Sequence, residues 1–188
     1  MNIRLSYHLK DIATILLVAM FFSCGNDIKE VQDFLAEKNL PIGIAKNVHL
    51  VHTDSGLVKT VLISPEMQDF SNRKEHPYTL FPEGLRIVSF DEAGDSVVLT
   101  AGYTITFSKT NISEIKDKVT ITNPGENAKL ITDQLFWDSN EHYIYTEKEF
   151  TLITSSDTIY GKGFESNEDL SKVNMRSVTG SVYVEETP

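Results

Sequence analysis

The sequence predicts an all-β domain, arranged as an antiparallel sandwich, barrel or rolled sheet, behind an N-terminal targeting segment. From Ala45 onward, apolar and polar residues alternate with a period of two, as in strands with one buried face and one wet face. Clusters of turn-forming residues interrupt this alternation at intervals of roughly ten residues. These clusters are TDSG at 53–56, DEAGD at 91–95, NPGE at 123–126, DSNE at 138–141 and SSD at 155–157.

Residues 1–23 are predicted to form a lipoprotein signal peptide. Arg4 and Lys10 precede an apolar run over residues 12–22, which is shorter than the roughly 20 residues that a membrane-spanning helix needs. The sequence SCGND follows and places a small residue directly before Cys24, the one cysteine of the chain. We therefore expect cleavage before Cys24 and lipid attachment to it. The alternative is an uncleaved anchor or a buried cysteine.

The segment after the cleavage point is predicted to be a lipidated tether over residues 24–41. Its apolar residues recur at helical spacing, which predicts at most one short helix. Pro41 would end that helix. The β domain is then expected to occupy residues 42–188. The helically spaced residues are Ile28, Val31, Phe34 and Leu35.

The stretch VVLTAGYTITFS shows the strand alternation most clearly. Every second residue is expected to point to the same face, which is apolar, whereas the other face carries mostly hydroxyl groups. The apolar residues are Val97, Leu99, Ala101, Tyr103, Ile105 and Phe107. Later stretches repeat the pattern with Val119 and Ile121, with Phe150 and Leu152, and with Val178, Val182 and Val184.

The composition excludes nucleic acid as a partner. The 188-residue chain carries 17 basic and 27 acidic side chains, a formal net charge of −10. Nucleic-acid binding depends on basic residues that neutralise phosphates. A single cysteine also excludes a disulfide within the chain. The sequence therefore indicates an exported, acidic protein.

The loop SSDTIYGKGFESN, at 155–167, has the glycines and lysine of a phosphate-binding loop but the wrong spacing. A Walker loop has a glycine five residues before its Gly-Lys pair and a Ser or Thr after the lysine. Here Ser156 and Gly163 occupy those positions, and Ser166 replaces the third glycine of a dinucleotide fingerprint. Glycines within a strand pattern mark a bulge or a close backbone approach, so we predict a bend in the sheet.

No catalytic residue, metal site or cofactor is predicted, and the protein is expected not to be an enzyme. His49 and His52, with Asp54 nearby, invite a metal or hydrolase interpretation, but residues three apart on a strand face opposite sides of the sheet. Trp137 could pack in the core or present an exposed ring to a sugar. Core packing is favoured, since Leu135 and Trp137 share a face of their strand.

The order and motifs of these segments resemble those of the LptC family, in the lipoprotein form found among Bacteroidetes-type bacteria. The resemblance covers residues 42–184 and the lipoprotein motif around Cys24. Its most specific parts are FPEGL at 81–85, LITDQLFW at 130–137 and GKGFES at 161–166. It implies a single rolled antiparallel β-jellyroll of the OstA/LptA-like type, with a V-shaped sheet.

The resemblance also implies a function in lipopolysaccharide transport across the periplasm. Family members bind the acyl chains of lipid A in an apolar groove, without catalysis. They bridge the inner-membrane transporter LptF/LptG to LptA, while the ATPase LptB supplies the energy. Better-known members are held by an N-terminal transmembrane helix. This chain is instead expected to be lipid-anchored through Cys24 at the periplasmic face of the inner membrane.

The apolar face predicted from the alternation supplies the residues expected to line such a groove. They are Val97, Leu99, Tyr103, Ile105, Phe107, Val119, Ile121, Leu135, Phe150 and Leu152. The terminal strands are the candidates for edge-to-edge pairing with protein partners, because open strand edges offer unpaired backbone groups. Their residues are Ile44, Val48 and Leu50 in one strand, and Val178, Val182 and Val184 in the other.

Three other functions stay open on the sequence alone. A surface lipoprotein with a closed β-sandwich would bind glycans through Trp137 and the tyrosines. A secreted hydrolase would use His52 and Asp54. A soluble bridge protein of the LptA type would share the chemistry of lipid transport but would be found free of membranes.

Overall fold

The computed structural model describes residues 28–91 and 93–179, and β-strands make up most of these residues. In these two ranges, one helix, α1 (Ile28–Glu37), precedes an 11-stranded antiparallel sheet. The strands are β1 (Gly43–Asp54), β2 (Leu57–Phe70), β3 (Tyr78–Phe81), β4 (Leu85–Phe90), β5 (Ser96–Ala101), β6 (Tyr103–Phe107), β7 (Ile112–Asn123), β8 (Ala128–Asp138), β9 (Tyr143–Ile153), β10 (Thr158–Asn167) and β11 (Val173–Thr179).

Helix α1 lies within the segment predicted to be helical and ends in a left-handed turn. The N–H of Leu40 donates to the carbonyl of Leu35 (2.8 Å), and the N–H of Asn39 donates to that of Ala36 (3.1 Å). Asn39 has φ of 56°. This pair of bonds around a left-handed residue is the Schellman arrangement, which satisfies carbonyls at the end of a helix.

The internal contacts of the chain divide it into two units, Met1–Phe34 and Leu35–Pro188, and the sheet belongs to the second. The predicted signal peptide over residues 1–23 lies outside the described residues. No helix within the described ranges has the length and apolar character needed to cross a membrane.

Consecutive rows of the sheet pair with each other, so the sheet is an up-and-down meander, although two of its rows consist of two short strands each. β3 and β4 together form the row next to β2, and β5 and β6 together form the row next to β7. The rows then continue in order from β7 to β11. β1 and β11 are therefore the two edges of the sheet. The prediction of an all-β fold with one antiparallel sheet is confirmed.

A line of backbone irregularities, which we call the crease, crosses the sheet from β1 to β10. Register shifts occur on this line between β7 and β8, between β8 and β9, and between β9 and β10. Irregularities of this kind bend a strand and increase its local twist. Residues with positive φ on the crease are Asn47, Gly84, Asp117, Lys118 and Gly163.

The crease divides the sheet into two half-sheets whose inner faces share one core. The first half-sheet comprises residues 48–54, 57–63, 85–90, 96–101, 119–123, 128–132, 149–153, 158–162 and 177–179. The second comprises residues 43–46, 66–70, 78–81, 103–107, 112–116, 134–138, 143–147, 164–167 and 173–176. Both contribute to the core, which includes Ile87, Leu99, Ile121, Leu130 and Leu152 from the first and Phe81, Ile115, Leu135, Ile144 and Phe164 from the second.

The crease also exchanges the two faces of a strand. In β5, Leu99 faces the core and lies opposite core residues of both neighbouring strands. In β6, the residue opposite the core residues Phe81 and Ile115 is Thr104. Odd-numbered residues of β5 and even-numbered residues of β6 therefore face inward. The one-residue break at Gly102 causes this exchange.

Close backbone contact with β7 holds the break at Gly102. Its N–H donates to the carbonyl of Asp117 (2.8 Å), and a Cβ at this position would overlap the Asp117 carboxylate. A larger residue at this point of the crease therefore requires that the Asp117 side chain move. Asp117 and Lys118 have φ of 64° and 53°, so β7 bulges at the same level.

Candidate functional site

The two half-sheets enclose an apolar cavity of about 420 Å³, which opens beside the turns at the ends of the strands. Small-molecule sites in proteins have volumes of roughly 300–1,000 Å³, so this cavity is large enough to hold a ligand. Apolar side chains of both half-sheets line its inner part. They are Ile87, Val97, Leu99 and Ile121 from the first half-sheet, and Trp137 and Ile144 from the second.

Strand register places these apolar side chains. Leu99 lies opposite Ile87 of β4 and Ile121 of β7, and Trp137 of β8 lies opposite Ile144 of β9. Directly opposite residues of antiparallel strands project from the same face. Each half-sheet therefore presents a continuous apolar patch, and the cavity lies between the two patches.

Carboxylates line the mouth of the cavity. Asp91 and Asp95 belong to the turn between β4 and β5, Glu126 belongs to the turn between β7 and β8, and Glu168 and Asp169 follow β10. Lysine and arginine are absent from the described residues that line the cavity. The mouth thus combines an acidic rim with an apolar interior.

Glu168 fixes the ring of Trp137 at this mouth. The indole Nε1 of Trp137 donates to Oε2 of Glu168 (2.9 Å), and Nδ1 of His142 lies 2.9 Å from Oε1 of the same carboxylate. The backbone N–H of Glu168 also donates to the carbonyl of His142 (3.2 Å). Trp137 is half-buried and packs against the core. It therefore has a satisfied polar end and an apolar body that faces the cavity.

A hydrogen bond across the mouth of the cavity joins the end of β7 to the turn after β10. Nδ2 of Asn123, at the end of β7, donates to the carbonyl of Asp169 (2.6 Å) in the turn after β10. The Oδ1 of Asn123 accepts from the N–H groups of Gly125 (2.9 Å) and Glu126 (3.3 Å). Leu170 follows in the left-handed conformation, with φ of 64°, and its side chain is buried in the core.

Seven of the ten residues predicted to line a groove face the interior. Their burial in one shared core shows that the alternation was interpreted correctly in β5 and in the strands after β6. Their contact with a lipid stays a prediction. They are Val97, Leu99, Val119, Ile121, Leu135, Phe150 and Leu152.

The prediction that Tyr103, Ile105 and Phe107 share this face is wrong. Ile105 lies opposite Leu80 and Glu114, and none of these residues belongs to the core. The break at Gly102 shifts the alternation by one residue, so these side chains project from the outer face of the second half-sheet. Phe107 packs there beside Tyr78, with ring centroids 6.3 Å apart. Rings on this outer face shield one another from water.

Hydroxyl groups occupy inner positions of β6 and β7, and one of them, Thr104, had been predicted on the wet face. Thr104 and Ser113 are 2% and 5% exposed, respectively. The hydroxyls of Thr106 and Ser113 lie 2.8 Å apart, whereas Oγ1 of Thr104 is buried and has no hydrogen-bond partner in the part of the chain that the structure describes. These inner hydroxyls could not be predicted, because the alternation in the sequence passes through Gly102 without any visible break.

The acidic rim was also missed by sequence analysis. Its members stand in turns that are far apart in the sequence, and only the fold at the crease brings those turns together. The acidic residues of the turns DEAGD, NPGE and NEDL were the available signal. Nothing in the sequence places them around one cavity.

Only some of the residues predicted for the open strand edges are exposed there. Ile44 and Leu50 are exposed on the edge strand β1, whereas Val48 is buried at 7%. Val178 is exposed on β11 at the opposite edge. Lys46 forms an ion pair with Glu66 that ties β1 to β2. Val182, Val184 and the predicted lipidation site Cys24 lie outside the described residues.

The remaining sequence predictions concern the glycine loop and the histidines. The predicted bend in YGKGF is confirmed, since the register of β10 against β9 shifts between Lys162 and Phe164. His49 and His52 lie on β1 opposite Ile63 and Thr60 of β2. Within the described ranges, no group of three or more His, Cys, Asp or Glu side chains is arranged to hold a metal ion.

The fold and cavity define a class of protein: a rolled antiparallel β-sheet whose apolar inner face opens at one end. Comparison with protein families identifies a family that matches the chain. The family model described as "Lipopolysaccharide-assembly, LptC-related" matches residues 12–184. The chain therefore belongs to the LptC family, whose members are components of lipopolysaccharide transport. A comparison with curated proteins found no match.

Proposed function

We propose that this protein binds the acyl chains of lipopolysaccharide between its two half-sheets and passes the lipid onward without catalysing a reaction. The observation that carries the proposal is the mostly apolar inner face, whose apolar side chains form one core cluster shared by both half-sheets. The cavity between Leu99 and Trp137 is its open end. The lining then consists of the seven inward-facing residues, and Tyr103, Ile105 and Phe107 have no part in it.

The physical reason for such an interior is the cost of moving acyl chains through water. Each buried methylene is stabilised by about 0.8 kcal/mol, so exposing one long acyl chain costs on the order of 10 kcal/mol. A protein with a continuous apolar face lowers that barrier by keeping the chain out of water. Transfer then needs no chemical step, and its direction would come from ATP hydrolysis by LptB.

The two edge strands would link this protein to its partners. β1 and β11 are the edges of the sheet, and exposed Ile44, Leu50 and Val178 lie on them. An open edge can pair with a strand of another sheet, which would extend the apolar interior from one protein to the next. LptF/LptG and LptA are the proposed partners. A lipid on Cys24 would hold the protein at the periplasmic face of the inner membrane.

The fluorescence of Trp137, the single tryptophan, tests this function directly. Titration of the full-length protein with purified lipid A is expected to shift the emission to shorter wavelength, because acyl chains displace water beside the indole. The matched titration uses the same saccharide after chemical removal of its acyl chains, and no shift is expected.

Two results would contradict the proposal. An equal response to the deacylated saccharide would favour a glycan-binding lipoprotein, in which Trp137 serves as a sugar platform. Absence of any response at saturating lipid A would mean that the interior is an ordinary closed core.

A further inference from the structure

The five carboxylates at the mouth of the cavity differ in what they do for the fold. Asp91 accepts the backbone N–H of Asp95 (2.8 Å) and thereby closes its own turn. Asp169 accepts the N–H of Ser171 (2.9 Å) in the same way. Glu168 binds the indole of Trp137 and the ring of His142. These three carboxylates therefore have structural partners.

The side chains of Asp95 and Glu126 have no such function. Neither carboxylate makes a hydrogen bond or an ion pair with another described residue, and both are exposed at the rim. They stand in different turns, Asp95 between β4 and β5 and Glu126 between β7 and β8, and both line the cavity. Their charge is therefore available to a ligand, and the fold does not require it.

This charge bears on which amphiphile can occupy the cavity. A head group at the mouth would lie among five carboxylates, with no lysine or arginine among the described lining residues to offset them. Like charges at short range repel, and a low-dielectric wall beside them reduces solvent screening. A bare phosphate at the rim is disfavoured, whereas a protonated amine is attracted. The same apolar interior accepts the chain in either case.

We propose that the cavity takes a lipid whose head group presents a protonated amine at the rim in place of unsubstituted phosphate. The inference rests on the proposed function, since it takes the apolar interior as the place of the acyl chain. It adds the charge of the substrate: this mouth selects amine-bearing lipid over otherwise identical phosphate-bearing lipid. Asp95 and Glu126 are the residues that set the preference.

Three amphiphiles with one common chain length test the proposal on the full-length protein. They are dodecylammonium, dodecyl maltoside and dodecyl phosphate, each below its micellar concentration, with Trp137 fluorescence as the signal. The cationic amphiphile is expected to bind about tenfold more tightly than the anionic one, with the uncharged one between them. High salt should reduce the difference, because the rim is open to solvent.

Two double variants locate the effect. Asp95→Asn with Glu126→Gln should bring the three affinities to within about threefold of one another. Asp54→Asn with Glu75→Gln removes the same two charges from exposed positions that do not line the cavity, and it should behave like the unmodified protein. The proposal is wrong if the preference for the cationic amphiphile survives in the Asp95→Asn/Glu126→Gln variant, because these two carboxylates then do not cause it. It is also wrong if the control variant loses the preference equally, because the net charge of the protein is then the cause.

The remaining outcomes distinguish failure of the head-group preference from failure of the proposed acyl-chain binding. Equal binding of all three amphiphiles would overturn the head-group preference but support the apolar interior. Failure of all three to bind would overturn both. A short basic peptide, such as tetralysine, that perturbs Trp137 as strongly as the cationic amphiphile would assign the rim to a polypeptide and overturn the lipid proposal.

Discussion

Gly161 stands where the ring of Phe150 crosses from β9 onto β10. A Cβ at this position would lie 2.7 Å from two ring atoms of Phe150 and 2.7 Å from the backbone carbonyl of Ser177. The ring cannot move away freely, because it is buried and packs against Phe164 with centroids 5.2 Å apart. In YGKGF, the first glycine therefore serves packing, and the register shift lies beyond it at Gly163.

Gly161→Ala is expected to destabilise the protein by about 1–3 kcal/mol, the usual cost of forcing extra volume into a packed site. Gly43→Ala is the matched change, since a Cβ at Gly43 meets nothing within 4 Å. It should alter stability by no more than about 0.5 kcal/mol. Urea unfolding of both variants measures the difference, and equal stabilities would show that Phe150 adjusts without cost.

At the scale of the strands, a polar network on the outer face ties β11 to β9 and β10. Arg176 of β11 donates to both oxygens of Glu147 in β9, at 3.1 and 2.6 Å, and to Oε1 of Glu165 in β10, at 2.8 Å. A hydrogen bond from Tyr143 and the nearby charge of Arg176 lower the pKa of Glu165. Burial, followed by the bond to Glu165, raises the pKa of Tyr143.

This network predicts acid sensitivity of a definite sign. A carboxyl with a lowered pKa stabilises the fold above its ordinary value of 4.5, and this contribution is lost as the pH falls through the lowered value. Glu165→Gln should therefore be less stable than the unmodified protein at pH 7, and the gap should narrow as the pH falls below about 4.5. Urea midpoints measured from pH 7 to pH 3 test this.

Tyr143→Phe provides the internal comparison for that series. It removes the donor that contributes most to the lowered pKa of Glu165, so the narrowing below pH 4.5 should be smaller in this background. The assigned role of the network would be contradicted if the difference in stability between Glu165→Gln and the unmodified protein stayed constant with pH.

Strands could be predicted from the sequence because alternation and turn residues are local signals. The crease could not, because several of its irregular positions are not glycines. Asn47, Asp117 and Lys118 take positive φ although none of them is a glycine. At Gly102 the sequence TAGYTITF continues its alternation without a break, although the chain exchanges faces there. Face assignment therefore failed for Tyr103, Ile105 and Phe107.

On the scale of the sheet domain, the crease produces the candidate site. Because the meander bends along one line, the turns at opposite ends of the strands come to flank a single cavity. One consequence is the hydrogen bond between Asn123 and Asp169 across the mouth, and the acidic rim is another. The apolar lining could be predicted in large part, because it follows from local alternation. The rim depends on contacts between distant turns, which local sequence does not encode.

The central claim is that the inner face contacts lipopolysaccharide and the outer face does not. Val97 and Val98 separate the two possibilities with adjacent residues of β5. Val97 lines the cavity, whereas Val98 lies opposite Val88 and Thr122 and projects from the other face. A photo-crosslinking amino acid is placed at each position in turn, in living cells, and the products are blotted for lipopolysaccharide. We predict adducts from position 97 and none from position 98. No adduct at position 97, or equal adducts at both, would contradict the account.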